Sequence, residues 1–261
     1  MNPFAEVYDR PEIASHYLTS VLQPAEALLL QTVTAQAGKL DLLDLGVGAG
    51  RTSFFFLPFV RSYVGIDLAP RMIDLCRERF ADYQSAASVD FRIGDAAALT
   101  SCADAAFDVV LFSCNGIDCL SLERRALCLS EVHRVLRAGG LFLFSVHNLQ
   151  SINACFGASS LLDATRLAAI RRFNEPFEVL PGKDAALFWD GVYGDEGVLK
   201  HVYVKPRPQR LALERRGFTN VRVISSETGR GLAEDHIDES VELALHFWCE
   251  KQGTAPLGNR L

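Results

Sequence analysis

The chain has no Cys-x-x-Cys pair, no excess of basic residues and no apolar run approaching the length needed to span a membrane. Each shortage removes a class of function. The seven cysteines, Cys76, Cys102, Cys114, Cys119, Cys128, Cys155 and Cys249, are scattered and odd in number, which fits reduced, mostly buried thiols and neither a disulfide framework nor a zinc site. Cys114 and Cys119 flank a loop of functional character, but two further ligands at metal-binding spacing are missing nearby, so no metal is expected. Lysine plus arginine total 26 against 32 aspartate plus glutamate, a net charge of −6. That is the wrong sign for a surface that tracks phosphates, and no nucleic-acid partner is expected. Residues 1–10 lack the basic stretch followed by an apolar one that marks an export signal. The expectation is a soluble, cytoplasmic protein with no membrane partner.

With 261 residues, 49% of them hydrophobic, the chain can bury one substantial core, and a single domain with an insertion accounts for its length. Between residues 39 and 147, short β-like apolar runs alternate with helical spacing, the mark of βαβ units on a parallel sheet. Strands are predicted near 40–45, 62–67, 88–93, 107–112 and 140–147, and helices over 51–60, 70–82 and 122–137, with Pro70 suited to a first helical turn and Gly139-Gly140 to a helix stop. Ahead of this block, residues 6–37 read as two helices broken around Pro24 that cap the strand tips. After His147 the alternation is lost. Residues 149–205 hold a helical stretch at 161–173, two prolines and a glycine-punctuated segment at 190–194, the profile of a lid or substrate-binding insertion. Regular structure resumes with a helix over 208–216, a strand over 221–225 and a last strand near 243–250.

The richest stretch is Leu42-Leu43-Asp44-Leu45-Gly46-Val47-Gly48-Ala49-Gly50-Arg51, followed by Tyr63-Val64-Gly65-Ile66-Asp67. A buried-type strand leads into a turn with glycine at every second position, where positive φ and close approach of a ligand to the backbone both call for a missing Cβ. A second strand then stops at a carboxylate able to accept from both ribose hydroxyls of an adenosine. A dinucleotide site wants a third glycine where this chain has Arg51, so the tighter G-x-G-x-G suits a ligand without phosphates. Asp44, inside an apolar strand, is expected to bond the loop backbone or a ligand's charged end, because an unpaired buried carboxylate is costly. Arg51 is expected either to pair with a ligand carboxylate or to cap its own helix.

Taken in order, these motifs resemble the class I S-adenosylmethionine-dependent methyltransferases. Residues 42–50 are similar to that family's motif I, and Asp67 stands at its ribose-binding acid. Arg92-Ile93-Gly94-Asp95-Ala96 is similar to the segment whose Asp holds the adenine amino group, residues 107–113 look like the fourth strand, and Arg134-Val135-Leu136-Arg137-Ala138-Gly139-Gly140-Leu141 is close to the family's R-V-L-K-P-G-G approach to strand five. The resemblance implies a Rossmann-like α/β fold: a seven-stranded, mostly parallel sheet with its last strand antiparallel and helices on both faces. It implies one methyltransferase domain over 1–261, composed of an N-terminal helical cap (1–38), a cofactor-binding core (39–148), a lid insertion (149–205) and a C-terminal helix and strands (206–261). S-adenosylmethionine is then the cofactor, held by Asp44, Gly46, Val47, Gly48, Gly50, Arg51, Asp67, Leu68, Met72, Asp95, Ala96 and Ser113, with Tyr17 closing over it, in a monomer or homodimer. Asp67 and Asp95 also have a plainer reading as helix N-caps.

The loop after the fourth strand, Ser113-Cys114-Asn115-Gly116-Ile117-Asp118, lacks the Asp/Asn-Pro-Pro-aromatic signature of the superfamily's amino-methylating DNA enzymes. The expected acceptor is a small molecule, methylated at oxygen, nitrogen or carbon in specialised metabolism. Asn115 lies where the resemblance puts the reacting methyl group, with a turn role beside Gly116 as the alternative. His147, at the carboxyl end of the fifth strand, reads as a base near neutral pH or as hydrogen-bonded structure, and His133 as structural. Phe173, Phe177, Phe188, Trp189, Tyr193, His201 and Tyr203 form either an aromatic substrate surface or the insertion's own core. The competing readings are an enzyme of the same fold that consumes the cofactor's aminopropyl or aminobutyryl part, a non-catalytic cofactor-binding protein, and a nicotinamide oxidoreductase.

Overall fold

Side-chain alternation along the strands decides the layering, since successive residues point to opposite faces of a sheet. In β1 (Asp41–Leu45) and β4 (Phe107–Phe112), Leu43, Leu45, Val110 and Phe112 pack into one core, while Leu42, Val109 and Leu111 pack into a second on the other face. Both strands are buried from end to end, as strands of a parallel sheet covered on two sides must be. The computed structural model describes residues 3–10, 21–83, 87–156, 162, 164–174, 183–191 and 199–253. Tyr17, Phe177 and Tyr193 lie outside the described residues.

In chain order the elements are α1 (Pro3–Tyr8), α2 (Pro24–Thr34), β1, α3 (Ser53–Phe56), β2 (Ser62–Asp67), α4 (Pro70–Arg79), β3 (Ser88–Ile93), β4, α5 (Leu122–Val135), β5 (Leu136–Asn148), α6 (Ile152–Phe156), α7 (Ala164–Phe173), β6 (Ala185–Phe188), β7 (His201–Val204), α8 (Pro206–Glu214), β8 (Phe218–Ser225) and β9 (Ala244–Lys251). Strands β3, β2, β1, β4 and β5 lie side by side and parallel, with Asp44 level with Gly65 of β2 and Leu111 of β4. Strand β9 runs antiparallel to β5, and β8 antiparallel to β9. This is the Rossmann-like α/β sheet. Helices α2, α3 and α4 cover one face through Leu29, Phe56 and Ile73, and α5 and α8 the other through Leu129, Val132 and Leu213.

Four expectations need correction. The sheet holds nine strands among the described residues, not seven, because the insertion contributes the antiparallel hairpin β6–β7, whose second strand pairs with His147 and Asn148 beyond the tip of β4. Gly139 and Gly140 stop no helix from outside it. They sit within β5, where the register against β4 shifts and a Cβ on Gly140 would come within 2.8 Å of the Arg137 carbonyl oxygen. The helix over 51–60 shrinks to α3 and a 3₁₀ turn at Leu57–Phe59. The insertion is not irregular over its described residues, where α6, α7 and the hairpin bury Ile152, Phe156, Ile170, Phe188, Trp189 and Tyr203 together. Of the aromatics left open above, Phe173, Phe188, Trp189 and Tyr203 therefore build the insertion's own core, as with the Phe173 and Trp189 rings 4.7 Å apart. Among the described residues no helix is long and apolar enough to cross a membrane.

Candidate active site

At the carboxyl ends of β1, β2 and β4 the strands diverge from their connecting loops and leave a cavity, the position that open α/β sheets use for ligands. Its floor is the glycine turn after β1. Gly46 and Gly48 adopt φ of +61° and +55°, which side-chain-bearing residues rarely take up. A Cβ on Gly46 would meet the Phe112 ring at 2.9 Å, whereas one on Gly48 would meet nothing within 4 Å. Gly46 thus lets the turn close on β4, and Gly48 keeps the space above the turn open.

Gly50, also at positive φ, has another purpose: a Cβ there would lie 2.6 Å from the Phe80 ring, so its absence lets the end of α4 approach. It does not line the cavity, and neither does Asp44. Asp44 is buried and accepts hydrogen bonds from the Thr52 and Tyr63 hydroxyls, so it holds the β1–α3 connection through side chains and not through the loop backbone. Burial lifts its carboxyl to about 6 against those two bonds, and its Oδ1 has no partner among the described residues.

Asp67, at the tip of β2, forms part of the cavity wall. Its Oδ2 accepts from the Gly48 N–H at 2.9 Å and its Oδ1 from the Ala69 N–H at 2.9 Å. One carboxylate thereby ties the glycine turn to the start of α4. Desolvation raises its pKa against these bonds and one from the Leu68 backbone, and a carboxylate with about four acceptor sites keeps capacity for another donor. Across the cavity, Asp95 accepts from the Ala97 N–H at 2.9 Å and pairs with Arg124 of α5. It makes a local turn and holds α5 at once, and it too is a lining residue.

Arg51 follows neither of its two expected fates in full. It lines the cavity, but both terminal nitrogens are held by Glu26 of α2, at 2.7 and 2.6 Å, and one also reaches the Val21 carbonyl oxygen. It does not cap α3. Glu26 is fully buried, and although burial opposes it, the Arg51 guanidinium holds its carboxyl below the usual range. Cys114 Sγ lies 3.2 Å from the same guanidinium. Ser113, the last residue before that thiol, is buried at the cavity wall, with the Glu26 carboxylate near its hydroxyl. Val47, Leu68, Met72 and Ala96 also line the space.

The two residues expected to act on a substrate do not line it. Asn115 adopts φ of +56° in a turn and donates its N–H to Ser145 Oγ. His147 gives both its backbone N–H and Nδ1 to Asp118 Oδ2, at 2.6 and 2.9 Å, and stacks on Tyr203 at 4.7 Å. Asp118 is itself paired with Arg125, so His147 belongs to a buried network joining β5, α5 and β7. Residues not anticipated do line the cavity: Phe4, Ala5 and Tyr8 of α1 cover it, and Cys119 and Leu120 close one side. A short helix near the start, followed by a helix break, hinted at a cap but not at which of its residues would face inward.

Residues 42–140 match the profile of the family described as Methyltransferase domain. The chain is 32% identical over 121 residues to the uncharacterized methyltransferase YcgJ of Bacillus subtilis (strain 168), covering 46% of this chain and 45% of YcgJ. It is 32% identical over 118 residues to the thiol S-methyltransferase TMT1A of Homo sapiens, covering 45% and 47%. The chain thus spans less than half the length of these curated relatives. Its fold is similar to the crystal structure of an S-adenosylmethionine-dependent methyltransferase from Clostridium acetobutylicum ATCC 824, with a TM-score of 0.61 and 13% identity over 97% of this chain and 99% of that one. The glycine turn, the acidic tips of β2 and β3 and the profile match all fall on the same hundred residues, so it is residues 42–140 that are similar to the methyltransferase domain family.

Proposed function

We propose that the protein transfers the methyl group of S-adenosylmethionine to a nucleophile of a small-molecule metabolite. The observation that carries this is the lining of the strand-tip cavity: open space above Gly48, Asp67 beside it with acceptor capacity left, and the buried Ser113 at the far side. These groups fit an adenosyl sulfonium without phosphates. Asp67 would take the ribose hydroxyls, Asp95 and Ala96 the adenine, Leu68 and Met72 its apolar faces, and Gly46, Val47, Gly48, Arg51 and Ser113 the methionine portion. When bound, S-adenosylmethionine supplies an electrophilic methyl on a cationic sulfur.

The protein's own part is positioning. Holding two reactants in line lowers a barrier by roughly 7–11 kcal/mol in well-oriented systems. Phe4, Ala5 and Tyr8 exclude water from above, and the glycine turn fixes the floor. His147, turned to Asp118, serves this reading as a residue that orients β5 and β7 and not as a base. The name of TMT1A widens the acceptor atom from oxygen, nitrogen or carbon to sulfur as well. A cytoplasmic, single-domain protein that acts in specialised metabolism is the setting we infer.

Calorimetry with S-adenosylhomocysteine tests the reading directly. Asp67→Ala should lose about 1–3 kcal/mol of binding free energy, the value of buried hydrogen bonds of this kind. Unchanged affinity in a folded variant would refute the ribose assignment. Release of 5′-methylthioadenosine in place of S-adenosylhomocysteine during turnover would replace methyl transfer with use of another part of the cofactor.

A further inference from the structure

The cysteines divide by environment. Burial pushes up the thiols of Cys76, Cys102, Cys114, Cys155 and Cys249, and that of Cys128 to about 12, which keeps them protonated and unreactive near neutral pH. Cys119 has a different setting. It stands in the wall of the strand-tip cavity with the Tyr8 hydroxyl 3.9 Å from its sulfur. Behind it, on β7, His201 hydrogen-bonds the same sulfur. His201 Nδ1 lies 3.1 Å from Asp190 Oδ2, and the Tyr203 hydroxyl donates to that oxygen at 3.3 Å. Asp190 and His201 are both buried.

The ring of His201 has Phe4 at 5.1 Å and His147 at 5.2 Å, so it is wedged between the α1 cover and β5. Desolvation works to lower its pKa, but the hydrogen bonds to Asp190 and Cys119 win and raise it to about 10. The Asp190 carboxylate on the far side of the ring thus favours its protonated form. Sulfur, imidazole and carboxylate in this order form the arrangement that stabilises a thiolate and directs it outward.

We propose that Cys119, backed by His201 and Asp190 and open to the cavity, is a modification site for soft carbon electrophiles. The thiol gives up its proton as the sulfur attacks, with the His201 ring beside it. The sulfur lone pair forms the new S–C bond as the carbon's bond to the leaving group breaks, and the leaving group departs with the electron pair of that broken bond. The adduct projects into the cavity and excludes S-adenosylhomocysteine. The reactivity stands on the Cys119–His201–Asp190 geometry alone, whereas the exclusion rests on the function proposed above.

Substoichiometric iodoacetamide at neutral pH, followed by peptide mass spectrometry of the full chain, tests it. Cys119 should be carbamidomethylated first, with iodide lost, at a rate about tenfold or more above Cys114 and Cys155. His201→Gln should slow labelling of Cys119 by a similar factor. If circular dichroism shows that variant to be misfolded, Asp190→Asn, which keeps the ring and removes its counter-charge, should slow it too. Labelling of Cys114 or Cys155 ahead of Cys119, or a wild-type rate in a folded variant, overturns the proposal. Labelling first at Cys119 with no protection by S-adenosylhomocysteine would support the thiol and count against the cofactor site.

Discussion

Two glycines two residues apart in one turn have different physical tasks. At Gly48 an alanine would meet open space, so its cost is backbone strain at positive φ, about 1–2 kcal/mol, plus a methyl group set into the cavity. At Gly46 the same strain is joined by a clash with the Phe112 ring inside the core. Gly46→Ala should therefore lower the urea midpoint more than Gly48→Ala. Gly48→Ala should weaken S-adenosylhomocysteine binding more than its stability loss would suggest. Equal effects of the two variants on both measurements would show that neither glycine faces a ligand.

At the scale of elements, the pairing of α2 with the glycine turn stands out. Glu26 is fully buried and makes two short bonds to Arg51, while its Oε2 also accepts from the Gln23 N–H at the start of α2. A buried pair contributes little net stability over an apolar pair of the same shape, but breaking it strands a charge in the interior. Glu26→Gln should then cost about 3–5 kcal/mol by urea unfolding, and the double variant Glu26→Met with Arg51→Met markedly less. Additive losses in that cycle would mean that the two side chains do not interact as the structure has them. The same pair explains why an N-terminal helix belongs to the cavity: α2 is anchored to a lining residue 25 positions away.

For the whole molecule, two buried groups give the pH dependence opposite signs. His246 of β9 is buried between Ser226 and Gln23, and desolvation lowers its pKa to about 4 from the usual 6.5. The unfolded chain therefore takes up a proton that the folded one refuses, and stability falls as pH drops through the window from 6.5 to 4, by on the order of 3 kcal/mol. Asp44, raised to about 6 by burial, works the other way, because the folded chain binds its proton first and gains stability as pH falls below 6. Unfolding measured at pH 7.5 and 4.5 should show wild type losing more stability than His246→Gln over that interval. Equal losses would mean that the buried ring is not neutral in the folded protein.

The residues themselves determined the parallel core. A short apolar run rich in β-branched and aromatic residues is a local property, so β2, β3 and β4 run over the same spans that the apolar pattern marks, and the turn glycines and Asp67 could be placed at strand ends because each directly follows or closes such a run. What only the tertiary structure decided is every pairing between distant segments. It bound Arg51 to Glu26, turned His147 toward Asp118 and away from the cavity, folded the insertion's aromatics onto one another, added the β6–β7 hairpin beyond β4, and brought Tyr8 and Cys119 to the cavity wall. The reason is that a buried polar or aromatic group must find its partner from whatever the chain packs against it, and no spacing along the sequence records that choice.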